Sequence, residues 1–250
     1  MAKIDYSSFI FSHIPKCGGT SFRKLIYESA VASGVESKTI YIPGYNGLKV
    51  DRNLIQLSAF QLRSFSKLDL RVTAMHVPYK IHLEYSSLGS NPLYFTLFRE
   101  PFERFLSHYY FFYYRQGADS CKGIHLSELE SKKRTSLIKN LSNIYASYIM
   151  GDVKSGLYSD LDLYEETCAR LSKQNYCYGL LSDMSSSLDR LAHVLPDWLE
   201  LKTDFPHINA HNFSATYNDH ITDAMSQEFQ HHNALDIKIY SYIVNSFSTT

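Results

Sequence analysis

The sequence has no excess of charge, no long apolar run and few cysteines, and each absence excludes a class of protein. Its 250 residues include 25 basic and 25 acidic side chains. This balance argues against a nucleic-acid-binding protein that relies on bulk positive charge. No apolar run approaches the roughly 18 residues of a membrane span. The composition, 44% hydrophobic and 20% charged, is typical of a globular protein.

The cysteines and the amino terminus favour a reducing compartment. The four cysteines form neither a CxxC pair nor a dense framework, which is typical of reduced thiols. The first residues lack the long apolar segment of a signal peptide. We therefore expect a cytoplasmic protein with no membrane span. Since we find no internal repeat or low-complexity linker, we predict a single domain over residues 1–250.

Strand and helix patterns alternate along the chain. Apolar and β-branched residues predict strands over 6–14, 68–75, 93–98 and 176–181. Helical spacing predicts helices over 20–34, 54–65, 101–113, 136–150, 160–173, 183–194 and 219–248. Residues 41–50 are expected to form a loop or hairpin, and residues 117–136 a polar surface excursion. Such alternation indicates an α/β fold with a mainly parallel central sheet flanked by helices.

Polar groups follow three of the predicted strands. The segment PKCGGTS follows the first strand, His76 follows the second, and Arg99 follows the third. In parallel sheets, ligands bind outside the carboxyl ends of the strands. We therefore expect these three positions to meet at one edge of the sheet and to form the functional site.

The segment PKCGGTS has the features of an anion-binding loop. Gly18 and Gly19 permit a tight turn, and the start of the following helix presents unpaired N–H groups. Lys16 adds a positive charge, and Thr20 and Ser21 add hydroxyl donors. The alternative is an ordinary strand-to-helix turn in which the hydroxyls only cap the helix. We favour phosphate binding, since a cap requires neither the lysine nor the paired glycines.

The order of residues in this loop differs from that of a nucleotide hydrolase. In a Walker A loop the lysine follows the glycines and precedes the Mg²⁺-binding hydroxyl. Here Lys16 precedes Gly18 and Gly19, and no predicted strand ends in an obvious Walker B aspartate. An ordinary ATP- or GTP-hydrolysing P-loop enzyme is therefore disfavoured.

A second candidate anion site combines Arg99, after a strand, with Ser107, two turns into the next helix. Arginine supplies a planar fork of donors and serine a hydroxyl. In the alternative interpretation, Arg99 pairs with Glu100 or Glu103 and Ser107 is merely exposed.

Together the two segments resemble sulfotransferases that use 3′-phosphoadenosine-5′-phosphosulfate (PAPS), in particular the carbohydrate 2-O-sulfotransferases and their bacterial relatives. FIFSHIPKCGGTSFRKLI is similar to the family's 5′-phosphosulfate loop, usually written HIPKTGGTS. YFTLFREPFERFLSHYYFF is similar to its 3′-phosphate motif, Arg-x-Pro-x-x-Arg-x-x-Ser after a strand. Weaker similarity continues towards the carboxyl terminus, so the resemblance spans most of the chain.

The resemblance implies a P-loop-like three-layer fold and assigns roles by position. The residues that would hold the 5′-phosphate and sulfonate are Lys16, Cys17, Gly18, Gly19, Thr20 and Ser21. Arg99 and Ser107 would hold the 3′-phosphate, and Asn209 would lie near the nucleotide. Cys17 stands where the family often has threonine, so a hydroxyl contact is lost there.

His76 is our candidate for the base that removes the acceptor proton. Imidazole titrates near neutral pH, and TAMHVPYKIH resembles the family's Gly-His-x-Pro-Tyr segment, with Met75 in place of the glycine. His13 is the rival nearest to the loop, although a role within the turn suits it better. His82 could face the acceptor, and the further acid/base candidates are Glu84, Glu100 and Glu103, although solvation or pairing with an arginine suits each glutamate better.

The sequence therefore predicts a PAPS-dependent O-sulfotransferase that releases 3′,5′-adenosine bisphosphate. Lys16 and His76 are its expected catalytic residues, and the acceptor is a hydroxyl, on a carbohydrate or small molecule. We expect no metal, because His207/His211 and His231/His232 lack accompanying ligands and the chemistry requires none. The alternatives are another nucleotide-dependent phosphotransferase or a nucleotide-binding protein without activity.

Overall fold

A computed structural model describes residues 4–41, 70–75, 83, 88–151, 158–202 and 221–248. Its main elements, in chain order, are β1 Ser8–Ser12, α1 Gly19–Ala32, β2 Thr39–Tyr41, β3 Val72–Met75, β4 Pro92–Phe98, α2 Pro101–His108, a π-helical segment Tyr109–Arg115, α3 Ser131–Asn140, α4 Ile144–Met150, α5 Asp160–Leu171, β5 Tyr176–Leu180, α6 Met184–Val194, α7 Asp223–His232 and α8 Ala234–Ser248. None of these described helices has the length and apolar character needed to cross a bilayer.

The described residues divide into two compact units. One draws on residues 1–98 and 147–209, and the other on residues 99–146 and 210–250. The first contains the sheet and the predicted anion-binding loop, whereas Arg99 and Ser107 belong to the second. The expectation of a single domain over the whole chain stays a prediction.

Among the described residues, the sheet of the first unit has five strands in the order β2-β3-β1-β4-β5. Every strand pairs in parallel with its neighbours. β1 lies between β3 and β4, so Phe11 is paired with Ala74 on one side and Phe95 on the other. The predicted α/β class with a parallel sheet is confirmed, and the arrangement is that of a P-loop-like fold.

The central strands are apolar because both faces of the sheet are covered. Every residue of β1 and β4 is buried, as expected for parallel strands between layers of helices. Helix α1 contacts β2 and β3, and α5 and α6 contact β5. Phe22 of α1 packs its ring 4.5 Å from that of Phe11 and 4.8 Å from that of Phe95. These rings fix α1, and with it the preceding loop, against the sheet.

The second unit is built around a cluster of aromatic and aliphatic side chains. Phe229 of α7 lies against two rings of α2, with centroids 4.9 Å from Phe102 and 5.2 Å from Phe105. Leu137 and Ile138 of α3 are buried in the same cluster. The aromatic side chains that follow Pro101 therefore contribute to this core.

The sequence prediction was wrong about several boundaries in the second unit. The helix after Pro101 widens from α to π geometry at Tyr109, where six aromatic residues follow one another. Residues 117–136 are not simply a polar excursion, because Cys121 and Leu126 are buried and α3 begins at Ser131. The predicted helices over 136–150 and 219–248 are each interrupted, near residues 141–143 and 233.

Some predicted elements cannot be compared. The helix over 54–65 and almost all of the loop over 41–50 lie outside the described residues. Tyr41, the first residue of that predicted loop, instead ends β2, a strand that the sequence prediction missed.

Candidate functional site

The predicted anion-binding loop connects β1 to α1 in the first unit. β1 ends at Ser12, and the chain then turns so that the Cys17 N–H donates to the Ile14 carbonyl at 3.3 Å. Lys16 lies in this turn with a φ of 69°, a left-handed conformation that non-glycine residues seldom adopt. The backbone strain at a charged, half-buried residue marks this turn as a candidate functional element.

Gly18 is the residue immediately before α1, and two observations explain why it is a glycine. Its φ of 76° lies in the left-handed region, and a Cβ there would come within 2.6 Å of Leu181 Cδ1. Leu181 follows β5 and donates its N–H to the Phe98 carbonyl at 2.7 Å. The carboxyl end of β4, where Phe98 is the last residue, is thereby joined to the loop that follows β1.

Gly19, the first residue of α1, lies against the imidazole of His13. A Cβ at position 19 would be 1.8 Å from His13 Nε2, so no other residue fits while His13 keeps this position. The imidazole is only 6% exposed and stacks on Phe11 at 5.6 Å. A role for His13 within the turn was expected from the sequence, but its packing against Gly19 was not. The HIP segment directly before the lysine is the signal that could have pointed to it.

The start of α1 has the electrostatic character of an anion site. Gly18 has no side chain with which to cap the helix, and no acidic residue stands in its first turn. The positive end of the helix dipole is therefore not offset locally. Thr20 is half-buried and Ser21 buried within this turn. Arg23, a further buried cation, donates from Nε to the Gly19 carbonyl at 3.3 Å.

The side chain of Cys17 is turned into the protein. It is 0% exposed, and its Sγ lies 3.9 Å from the Pro15 carbonyl oxygen. Its N–H and its thiol both contact the loop's own backbone. Its assignment as a nucleotide-binding residue stays a prediction, and these contacts give Cys17 a role in closing the turn.

The predicted base, His76, lies outside the described residues, as do Asn209, His82 and Glu84. β3, the strand that precedes His76 in the chain, is described up to Met75. It lies beside β1, with Met75 paired to Ser12. The carboxyl end of β3 therefore lies beside that of β1, the strand that leads into the loop.

In the second unit, Arg99 lies two residues before the start of α2, and Ser107 lies within α2. Arg99 Nη2 forms an ion pair with Glu103 Oε2 at 2.9 Å, so the alternative pairing foreseen from the sequence does exist. Glu100 instead caps α2, accepting the Glu103 N–H at 2.7 Å. Ser107 is half-buried in the last turn of α2. A carboxylate beside a guanidinium does not prevent that guanidinium from binding a second anion, because arginine has five N–H donors.

The second arginine of the same motif, Arg104, is an internal residue. It is 0% exposed, donates to the Leu141 carbonyl, and lies 6.0 Å from the ring centroid of Tyr145. It is therefore held within the second unit. The two arginines of the motif therefore differ in burial, Arg99 being half-buried and Arg104 fully buried, a difference that spacing alone does not reveal.

A protein-family model described as the sulfotransferase family matches residues 4–216. The chain belongs to the sulfotransferase family. The matched region includes the loop from Lys16 to Ser21 and the segment from Arg99 to Ser107, which were the basis of the resemblance in the sequence. A search of curated proteins gives no match. The likeness to the carbohydrate 2-O-sulfotransferase branch stays a prediction.

Membership in this family supports transfer of a sulfuryl group, for which the family typically uses PAPS as the donor and a hydroxyl as the acceptor. Within the described part of this sulfotransferase, no three or more His, Cys, Asp or Glu residues are grouped so as to hold a metal ion. The absence of a metal from the reaction stays a prediction.

Proposed function

We propose that this sulfotransferase transfers a sulfuryl group from PAPS to a hydroxyl acceptor by in-line displacement. The observation that carries the proposal is the loop between β1 and α1, where glycines packed against Leu181 and His13 lead into an uncapped helix start. In a member of this family, such a loop suits the 5′-phosphosulfate of the donor.

In the proposed reaction, Lys16 stabilises the negative charge that develops on the leaving phosphate oxygen. As in phosphoryl transfer, catalysis depends on positioning and on charge stabilisation at the leaving group. The backbone N–H groups at the start of α1 and the hydroxyls of Thr20 and Ser21 hold the same end of the donor. Their contribution is to fix its orientation before the acceptor attacks.

Arg99 and Ser107 are proposed to bind the 3′-phosphate. The support is the match of this segment to the family motif and the position of Arg99 directly after β4 in the chain. The strand's last residue, Phe98, accepts the N–H of Leu181, which also packs on Gly18. A guanidinium paired with a single carboxylate retains donors for a dianionic phosphate.

His76 is proposed to accept the proton of the acceptor hydroxyl. The new bond joins the acceptor oxygen to sulfur, while the bond from sulfur to the phosphate oxygen breaks and 3′,5′-adenosine bisphosphate leaves. A base in this role typically contributes about 10²–10⁴-fold to the rate. The support is the family segment around His76 and the place of β3 next to β1.

The proposed acceptor is a carbohydrate or a small molecule that bears a hydroxyl, and the proposed compartment is the cytoplasm. All four cysteines are described, none of them forms a disulfide bond, and three are buried. Thiols that are not joined in disulfides fit a reducing compartment.

Nucleotide preference tests the proposal. Thermal unfolding of the purified chain is measured with 3′,5′-adenosine bisphosphate without Mg²⁺, and with ATP and Mg²⁺. At about 100 times its Kd, a ligand adds about 2.7 kcal/mol to the free energy of unfolding. We expect this shift with the bisphosphate at concentrations where ATP has little effect. Labelled PAPS is then incubated with a panel of sugars, alcohols and phenols.

The results of these two experiments distinguish the proposed function from its alternatives. A larger stabilisation by ATP with Mg²⁺ would indicate a phosphotransferase. Stabilisation by the bisphosphate without transfer of label to any acceptor would indicate a nucleotide-binding protein without activity. Transfer of label to one class of acceptor would confirm the reaction and identify its substrate.

A further inference from the structure

The main-chain carbonyl of Arg99 accepts a hydrogen bond from the hydroxyl of Tyr145. Arg99 lies at the junction between β4 and α2, where the carbonyls of its two neighbours are engaged in other ways. Phe98 O accepts the Leu181 N–H, and Glu100 O accepts the Arg104 N–H of α2. The Tyr145 hydroxyl thus donates to the main-chain carbonyl of Arg99, the residue that is proposed to bind the 3′-phosphate.

Tyr145 is itself held firmly. Its side chain is 0% exposed, and its N–H donates to Asp236 Oδ1 at 2.8 Å. The other carboxylate oxygen of Asp236 accepts the Ile144 N–H at 2.9 Å. Asp236 of α8 therefore caps the start of α4, the helix that carries Tyr145. Asn143 makes the reciprocal contact, its Oδ1 accepting the Asp236 N–H at 3.2 Å.

Arg104 completes the arrangement. This buried guanidinium lies over the Tyr145 ring at 6.0 Å, and its charge acts on the Asp236 carboxylate. A buried charge is expensive to leave without partners, and Arg104 has the Leu141 carbonyl as an acceptor and the Asp236 carboxylate as an opposite charge. The second arginine of the motif thereby helps to fix the residue that contacts the first.

We propose that Tyr145 is a positioning residue for Arg99, and that the buried Tyr145–Arg104–Asp236 cluster sets the direction of the phosphate-binding guanidinium. The inference rests on the proposed function, because it assigns Arg99 to the 3′-phosphate. The Tyr145 hydroxyl fixes the peptide plane that follows Arg99. Rotation of that plane would shift α2, and Ser107 on it, relative to the Arg99 side chain, and a displacement of about 1 Å is enough to weaken a charge-assisted contact.

The test is Tyr145→Phe, which removes only the hydroxyl. Its matched control is Tyr109→Phe, since Tyr109 is also 0% exposed in the second unit and donates to a backbone carbonyl, that of Ile124, at 2.8 Å. Calorimetry measures the Kd of 3′,5′-adenosine bisphosphate and of adenosine 5′-phosphate for each protein. The ratio of the two constants gives the preference for the 3′-phosphate.

We expect Tyr145→Phe to lower this preference by about three- to tenfold, the value of one net hydrogen bond. Tyr109→Phe should keep the wild-type ratio. Both variants lose a buried hydrogen bond, so a general loss of stability should affect the two variants alike. Such a loss would weaken the binding of both nucleotides by the same factor. The ratio therefore separates positioning from stability.

Equal ratios in the two variants would overturn the inference while leaving the proposed function in place. A wild-type protein that binds both nucleotides equally would overturn the proposed function, and the inference with it. A lowered ratio in Tyr145→Phe alone would establish Tyr145 as the residue that positions Arg99.

Discussion

The imidazole of His13 and the backbone of Gly19 occupy adjoining space, so close that a Cβ on residue 19 would lie 1.8 Å from His13 Nε2. His13 follows β1 and Gly19 begins α1, so this contact spans both ends of the loop that is proposed to bind the anion. The buried imidazole cannot move aside cheaply, because it also stacks on Phe11. Residues 13 and 19 are therefore coupled by shape.

Gly19→Ala is expected to reduce both stability and nucleotide binding. Forcing a methyl group into this space should cost about 1–3 kcal/mol, as other overpacked sites do. His13→Ala removes the imidazole that the new methyl group would meet. The double variant should therefore lose less unfolding free energy than the two single variants lose together. The measurement is the free energy of unfolding in urea for all four proteins.

Gly18→Ala provides the control for this cycle. A Cβ at position 18 would meet Leu181 and not His13. His13→Ala should therefore not restore the stability that Gly18→Ala loses. Coupling of about 0.5–3 kcal/mol is expected for the 13/19 pair. Strict additivity for that pair would contradict the packing described here.

Lys16→Ala should abolish most transfer activity and weaken nucleotide binding. Loss of one preorganised group that stabilises a developing charge lowers kcat by about 10²–10³-fold. Lys24→Ala is the control, because Lys24 lies exposed on α1 and pairs only loosely with Glu28 at 3.7 Å. Initial rates with labelled PAPS would show the difference, and full activity in Lys16→Ala would remove Lys16 from the mechanism.

Arg99→Ala should erode discrimination between nucleotides with and without a 3′-phosphate. Removing a hydrogen bond between two charged groups should lower the preference for the 3′-phosphate by about 10- to 100-fold. Arg170→Ala removes a similar arginine, paired with Glu166 at 2.9 Å in the first unit, and should leave the preference intact. Calorimetric titration with the two nucleotides measures it. An unchanged preference in Arg99→Ala would mean that the 3′-phosphate binds elsewhere.

His76→Ala should lower turnover far more than nucleotide affinity. A missing general base reduces kcat by about 10²–10⁴-fold, whereas the Kd for 3′,5′-adenosine bisphosphate should stay near the wild-type value. His193→Ala, at an exposed position on α6, is the control. Steady-state rates and calorimetry on both variants give the comparison, and surviving activity would show that the base is another residue.

The sequence was most informative where a local pattern had a single physical solution. The apolar runs of β1 and β4 could be buried only in a covered parallel sheet. PKCGGTS after such a strand predicted the turn and the start of α1 to within a residue or two. These features depend on neighbours in the chain, and they were predicted correctly.

Contacts between distant residues could not be predicted in this way. Leu181 against Gly18 and Tyr145 against Arg99 join residues 163 and 46 positions apart. Nothing in the spacing of Arg99 and Arg104 shows that only the second is fully buried. The interruption of two predicted helices has the same origin, since Asn143 and Asp236 cap each other's helices across a separation of 93 residues.

Stability should fall as the pH rises from about 4 to about 6 because of Asp236. Burial raises the pKa of this carboxyl to about 6, although Arg104 and the N–H groups of Tyr145 and Ile144 oppose the shift. Between the ordinary pKa of 3.8 and the raised value, the folded protein binds more protons than the unfolded chain. The contribution of Asp236 to the free energy of unfolding therefore decreases as the pH rises through this window. Asp236→Asn cannot titrate, so the difference between its stability and that of wild type should shrink from pH 4 to pH 6. Urea unfolding at several pH values measures that difference, and a constant or growing one would show that burial does not control the ionisation of Asp236.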